Sequence, residues 1–371
     1  MNFASDNGAG VAPEILEAIL ASSRGVAAAY GADAHTKAAE RRLSELFERE
    51  VAAILLATGT GANALGLGAV APGWSAVFCH EEAHIHDDEC GAPEFFTGGA
   101  KLVGIPGEGG KIAFKTFEET LSRFPRGLVK SVQPGALSFS QATEAGTIYA
   151  IDEIAALCAL AHDRGLKTHM DGARFANAIV ALGSTPAQMT WRAGVDVLSF
   201  GATKNGALAC EALIFFDPES AKDFAYQRKR GGHTLSKGRF LGAQMNVYLD
   251  DGLWLKLAAR ANRAADRLAS GLTAIPGVRL AWPRQVNEVF AIAPRSVLAP
   301  VLEAGARLYE WTSRAVAPSL APREDEAFFR SVCSFETTDA EVDQFLAIVR
   351  NHCDKLPARA ARALADSPQL R

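Results

Sequence analysis

From about residue 50 to 217 the chain alternates short apolar runs with stretches whose apolar residues recur at helical spacing. That rhythm is the signature of a mainly parallel sheet with helices on both faces. Seven runs read as strands: "AAILLAT", "SAVFC", "KLVGIP", "ALSFS", "LKTHM", "DVLSFG" and "EALIFF". Between the fourth and fifth, "IDEIAALCALAHDRG" reads as a crossover helix, with Asp152 placed to cap its start and Gly165 to end it. A long helical tract then runs from roughly 238 to 274 and is closed by Pro276-Gly277. Beyond it, "VRLAW", "EVFAIA", "ARLYEW" and "FFRSVCSF" mix with two helical patterns, "SVLAPVLEAG" and "TTDAEVDQFLAIVRNH". The expected organisation is an N-terminal segment over 1–25, a large domain over 26–250, a smaller α+β domain over 251–356 and a tail over 357–371 with no core-forming pattern.

Composition narrows the class without changing this picture. A chain of 371 residues, 49% hydrophobic and 22% charged, exceeds one ordinary core and reads as globular. Its net charge of -4, from 38 basic and 42 acidic residues scattered along the chain, offers no basic stripe for a nucleic-acid partner. No run approaches the roughly 18 apolar residues of a membrane span, and the N-terminus has no basic region ahead of an apolar stretch, so neither membrane insertion nor secretion is expected. Cys79, Cys90, Cys158, Cys210, Cys333 and Cys353 lie far apart with no C-x-x-C pair, which suits reduced thiols in a cytoplasmic protein.

Three motifs compete to define the chemistry. In "AAILLATGTGANALGLG" a strand runs into Gly59, Gly61 and Ala64 ahead of a helix, a loop whose backbone N–H groups can approach a phosphate at the helix's positive end. With Glu81 or Glu82 about 20 positions on to bind a ribose, it also satisfies a dinucleotide fingerprint and supports an NAD-dependent dehydrogenase. His80-Glu81-x-x-His84 matches the spacing of a zinc hydrolase, but His80 ends a strand, so the two imidazoles do not share a helix face. The third signal is Asp171 in "LKTHMDGARF" with Lys204 in "VDVLSFGATKNGALACEALIFF", each at the end of an expected strand. Strand ends one crossover apart can meet at one edge of a parallel sheet. A carboxylate for a pyridinium nitrogen, a lysine for an imine and a glycine loop for a phosphate are the groups that pyridoxal phosphate (PLP) requires.

At these residues the chain resembles a known family. "SDNGAGVAPEIL", "AYGADAHT", "TGTGAN", "HMDGARFANA" and "SFGATKNG", in order along nearly the whole chain, resemble the low-specificity L-threonine aldolases of the β-eliminating lyase/threonine aldolase family. The resemblance implies PLP-dependent transferase fold type I: a large domain with a mainly parallel seven-stranded sheet and a smaller C-terminal α+β domain. It implies that Lys204 links covalently to the cofactor, that Asp171 keeps the pyridine nitrogen protonated, and that Gly59, Thr60 and Gly61 hold the phosphate. A basic residue of "QRKRGGHTLSK" would add charge there, Lys229 in preference to Arg228. His84 would lie over the cofactor face near the substrate hydroxyl, while Ser5, Arg174 and Arg330 would contact the substrate carboxylate or the cofactor's phenolic oxygen.

The implied reaction splits threonine, allo-threonine or phenylserine-type amino acids into glycine and an aldehyde, with small molecules as its partners. Tyr30 would reach the neighbouring subunit's site in a homodimer or homotetramer. His84, or a water that it polarises, would take the hydroxyl proton. Some family members carry a second histidine before the Asp-bearing strand; "SFSQATEAGT" has none, and Thr143 and Glu144 are the substitutes on offer. An aminotransferase or a β-eliminating lyase would use the same loop, aspartate and lysine, and stands as the alternative.

Overall fold

The computed structural model describes residues 1–312 and 314–353, so the expected tail lies outside the described residues. All seven expected strands form one sheet: β1 (Ala52–Leu56), β2 (Ser75–His80), β3 (Lys101–Ile105), β4 (Gln133–Ser140), β5 (Lys167–Gly172), β6 (Val197–Gly201) and β7 (Glu211–Phe215). Their order is β1-β7-β6-β5-β4-β2-β3. From β3 to β6 the neighbours pair in parallel; β7 alone runs against both of its neighbours, β1 and β6. β2, β6 and β7 are buried along their whole lengths, as strands covered on both faces by helices must be.

Two local expectations need correction. The crossover helix is Ile151–Asp163 with Ala150 at its N-cap, and the carboxylate that satisfies the cap is Glu153, whose Oε2 accepts from the Ala150 N–H at 2.7 Å. Asp152 sits inside the first turn, one position too early to reach back. Gly165 does end the helix, with φ +70°. The tract expected as one long helix is two, Arg239–Leu249 and Leu253–Thr273. Asp251 at φ 48° and Gly252 at φ 65° break it, the left-handed region that Asp and Gly enter most readily.

The helix Leu253–Thr273 serves two cores. Trp254, Leu257 and Ala258 pack into the core under the large sheet, and Ala265, Leu268 and Leu272 into that of the small domain. The small sheet is antiparallel in the order β10-β11-β9-β8, from β8 (Arg279–Leu280), β9 (Glu288–Pro294), β10 (Tyr309–Glu310) and β11 (Glu326–Val332). The chain's N-terminus is strapped onto this domain: the Phe3 N–H donates to Arg307, its carbonyl accepts from Val332, and its ring is fully buried. That strap carries Ser5 and Asp6 to the C-terminal edge of the large sheet. Among the described residues, no helix is long and apolar enough to cross a membrane.

Candidate active site

A cavity of about 580 Å³ opens at that edge, between the large sheet and the small domain. Open α/β sheets bind ligands at this edge because strand ends and helix N-termini converge there. Ser5, Gly59, Thr60, His84, Asp171, Arg174, Lys204 and Arg330 all line it. Gly61, Tyr30 and Lys229 do not.

Asp171 ends β5 next to Ser140 of β4 and Ser199 of β6. Its Oδ1 accepts from the Ala173 N–H at 2.9 Å and its Oδ2 from Asn63 at 2.8 Å, which fixes a buried carboxylate in place. Lys204 follows β6 in the tight turn Thr203–Asn205, held from below by Asn205, whose amide donates to Tyr248 Oη and to the Trp254 carbonyl, each at 2.8 Å. Among the described residues the Lys204 amine has no hydrogen bond or ion pair. A half-buried, unpartnered amine across the cavity from a fixed carboxylate is the arrangement that an imine-forming lysine requires.

The glycine loop opens the helix Gly59–Val70. The N–H groups of Gly59 and Thr60 have no acceptor among the described residues, as expected for a first helical turn awaiting an anion. Gly61 departs from expectation. Thr58 caps the helix by accepting the Gly61 N–H at 3.1 Å, so that donor is already used. Glycine is required there for another reason: a Cβ would lie 2.4 Å from His233 and 2.9 Å from the Thr58 hydroxyl. Lys229, on the helix Phe224–Arg230, is exposed and lies over the Tyr30 ring at 5.0 Å, and Arg228 donates to the His233 carbonyl. Neither residue reaches the cavity of its own chain, because the helix directs both toward the loop that carries Tyr30 and the His233 turn.

Sequence reasoning missed a set of buried partners. Asn63 donates to Asp171 and to Glu89, each at 2.8 Å, and Glu89 Oε1 also meets His84 Nδ1 at 2.8 Å. Asp171, Asn63, Glu89 and His84 therefore form one chain of contacts, and Glu89 holds the His84 imidazole above the usual histidine range through that hydrogen bond. His80, by contrast, is closed off from its motif partner: Nδ1 accepts from the Glu82 N–H, so Nε2 donates to the Gly107 carbonyl at 2.9 Å. Both of its nitrogens are thus used where a zinc ligand would need one free.

Arg174 is on the wall, but its fork is taken. Nε and Nη2 donate to the two oxygens of buried Asp6 at 2.8 and 3.1 Å, and Nη2 lies 3.3 Å from Glu288. Through these two nitrogens it ties the N-terminal strap, and Ser5 with it, to the cavity wall, and its Nη1 makes no hydrogen bond among the described residues. Arg330 is less occupied: its guanidinium lies 4.1 Å over Trp311, Nη2 makes a 3.3 Å bond to the Ala4 carbonyl, Nη1 lies 3.9 Å from Glu288, and the buried Nε has no partner among the described residues. Such a fork is open to a carboxylate.

Glu211, on β7, is a further buried carboxyl on the wall, accepting from the Ala202 N–H at 3.0 Å. Burial pushes it up to about 7 from 4.5, against the pull of Thr203, Ala202 and Lys204. A raised folded-state value means stability that is full below the unfolded value and lost as pH rises through the folded one. Glu211→Gln is neutral in both states, so in the cofactor-free protein its melting temperature should gain on wild type between about pH 5 and 8, equivalent to roughly 3 kcal/mol. Parallel pH profiles for the two proteins would contradict this assignment.

The family model described as "Beta-eliminating lyase" matches residues 2–295. The chain belongs to the beta-eliminating lyase family. A low specificity L-threonine aldolase of Pseudomonas sp. (strain NCIMB 10558) is 40% identical over 348 residues, 94% of this chain and 96% of that protein. One from Pseudomonas aeruginosa is 38% identical over the same shares. The solved structure of a Leishmania major threonine aldolase superposes with a TM-score of 0.87 at 29% identity, covering 95% of this chain and 99% of that one. As a beta-eliminating lyase family member, the chain places the strand-end pair Asp171 and Lys204 at the heart of its cavity.

Proposed function

We propose that the protein is a PLP-dependent aldolase that splits L-threonine, L-allo-threonine and related β-hydroxy-α-amino acids, phenylserine types included, into glycine and an aldehyde. The observation that carries this reading is the convergence, in one cavity, of the free Lys204 amine, the fixed Asp171 carboxylate and the unpaired N–H groups of Gly59 and Thr60. This donor set fits PLP: an amine for its aldehyde, an acid partner for its ring nitrogen and a helix start for its phosphate. When bound, the cofactor supplies a sink for the electron pair left on the substrate's Cα.

The chain's own residues do the rest. Asp171 would hold a proton at the ring nitrogen, its orientation fixed by Asn63 and Ala173. Arg330, with Ser5 beside it, would bind the substrate carboxylate and so set which bond at Cα is placed to break. Orientation of this kind can supply several kcal/mol of barrier lowering. His84, held through Nδ1 by Glu89, would present its other nitrogen on the side of the substrate hydroxyl.

Tyr30 and Lys229, both exposed and outside their own chain's cavity, are proposed to act on a second subunit's site in a homodimer or homotetramer. Cys79, Cys90, Cys158, Cys210 and Cys333 are free, separated thiols, which suits action in the cytoplasm. Incubating the PLP-loaded protein with L-threonine should release glycine and acetaldehyde one to one, with no keto acid needed. Amino-group transfer that appears only with a keto acid, or release of ammonia in place of glycine, would favour the aminotransferase or β-eliminating alternative.

A further inference from the structure

We propose that Glu144 is the group that takes the proton from the substrate's β-hydroxyl and returns it to the aldehyde oxygen in the reverse direction. This rests on the aldolase reading of the same site. Glu144 lies in the loop after β4, on the cavity wall. Its Oε1 accepts from the Ser140 hydroxyl at 2.6 Å and from the His84 backbone N–H at 2.9 Å. Its Oε2 is shielded from water and has no partner among the described residues. A carboxyl with one oxygen doubly engaged and the other unpaired carries its proton on the unpaired oxygen.

The loop is built to hold this carboxyl. Thr143, the other candidate in the same stretch, is fully buried and its hydroxyl is tied to the Gly109 carbonyl and to Thr147. Thr143 therefore braces the turn, and Glu144 is the residue it presents. The small domain pins the far side, where the Trp282 indole donates to the Ala145 carbonyl at 2.7 Å. Ala142, Ala145, Phe290 and Trp311 supply apolar surface to the cavity wall, which suits the carbon substituent that leaves as the aldehyde.

Proton transfer is most efficient when the carrier's pKa lies near the working pH. Burial pushes the Glu144 carboxyl up to about 7, with Asp171 adding to the rise and the bonds from Ser140 and His84 opposing it. The charged or titratable groups that act on it are Asp171, Arg174, Cys79 and Tyr149, while His84 meets it through the backbone N–H. His84 is the rival carrier, with its Nδ1 held by Glu89 at 2.8 Å and its imidazole raised above the usual histidine range by that bond. In the cleavage direction the β-O–H bond breaks and its proton passes to the ionised Glu144 carboxylate. The O–H pair becomes the second bond of the aldehyde carbonyl, and the Cα–Cβ pair stays on Cα, which then takes a proton to give glycine. One proton leaves oxygen and one joins carbon, so no oxidant or reductant is needed.

Glu144→Gln tests this, because glutamine keeps the shape, the acceptor for Ser140 and His84, and a donor, but has no proton to transfer. Two readouts on the PLP-loaded variant separate the roles. Glycine has no β-oxygen, so glycine affinity and the exchange of its α-hydrogen with deuterated water should stay within about threefold of wild type, while L-threonine cleavage falls roughly 10²- to 10⁴-fold. Glu144→Asp, which keeps a transferable proton, should recover part of the cleavage rate. Cleavage by Glu144→Gln at the wild-type rate would overturn the proposal, and so would an equal loss of glycine affinity and exchange, which would mark a purely structural residue. Wild-type protein that exchanges glycine but never cleaves L-threonine would overturn the aldolase reading itself, and the role of Glu144 with it.

Discussion

Replacing Lys204 with alanine is expected to abolish turnover, with kcat for L-threonine lower by on the order of 10³-fold or more. The size of the effect follows from the site. Among the described residues, Lys204 is the amine lining the cavity, and it has no hydrogen bond or ion pair that would give it a structural task. Its turn is held by Asn205, through Tyr248 and Trp254, so the loop should survive the loss of the side chain. Borohydride reduction followed by peptide mapping gives an independent check. Wild-type protein should retain the cofactor on the peptide that contains Lys204, and the alanine variant should retain none while its melting temperature changes little. Label on a different lysine, or turnover that persists in the variant, would remove Lys204 from the chemistry.

Arg330→Ala should also have a large effect, and it should appear in KM. The guanidinium lies over Trp311 on the cavity wall, so a carboxylate can engage a fork that is already oriented. Losing charge-assisted hydrogen bonds of this kind costs about 2–3 kcal/mol, a ~30- to 150-fold fall in kcat/KM. Arg330→Lys should rescue little of it, because an ammonium has no planar fork and cannot stack in the same way. Arg174→Ala should behave differently. Its fork holds Asp6, and it also lies beside Glu288, which Arg330 approaches at 3.9 Å, so its removal weakens the counter-charge of two buried carboxylates and should lower stability as well as activity. An unchanged KM in Arg330→Ala, with only the melting temperature lowered, would assign Arg330 to packing.

The sheet was legible because its strands are covered on both faces and therefore read as unbroken apolar runs, as "DVLSFG" and "EALIFF" do. Asp171 and Lys204 were legible for a related reason: each is a polar residue set at the end of such a run, where the sheet edge binds ligands. The partners that make these residues work were not. Asp6 meets Arg174 across 168 positions and Asn63 meets Asp171 across 108, and no local pattern announces a pairing at that distance. Glu89 sits in the acidic stretch "HDDEC", which looks like a solvated surface until the fold buries that one carboxylate against His84 and Asn63.

Other misses had a signal that could have been used. Thr58 directly precedes the helix and is a strong N-cap type, so its claim on the Gly61 N–H followed from capping rules. Glu153, at the third position of its helix, fits the reciprocal half of a capping box better than Asp152 does. "LDDGL" is a helix stop that the surrounding periodicity masked, and it separates the helix under the large sheet from the one that joins the two cores. Lys229 and Tyr30 lie together off their own chain's cavity, the amine 5.0 Å over the ring, a pairing across 199 positions that no local pattern announces.

The most direct measurement is the visible spectrum of the PLP-loaded protein titrated with glycine. Covalent attachment at Lys204 predicts a yellow protein at rest, and a new band at longer wavelength that grows with glycine and is missing in Lys204→Ala. A wild-type protein that stays colourless after PLP is added, or whose melting temperature responds to a nicotinamide cofactor and not to PLP, would contradict it.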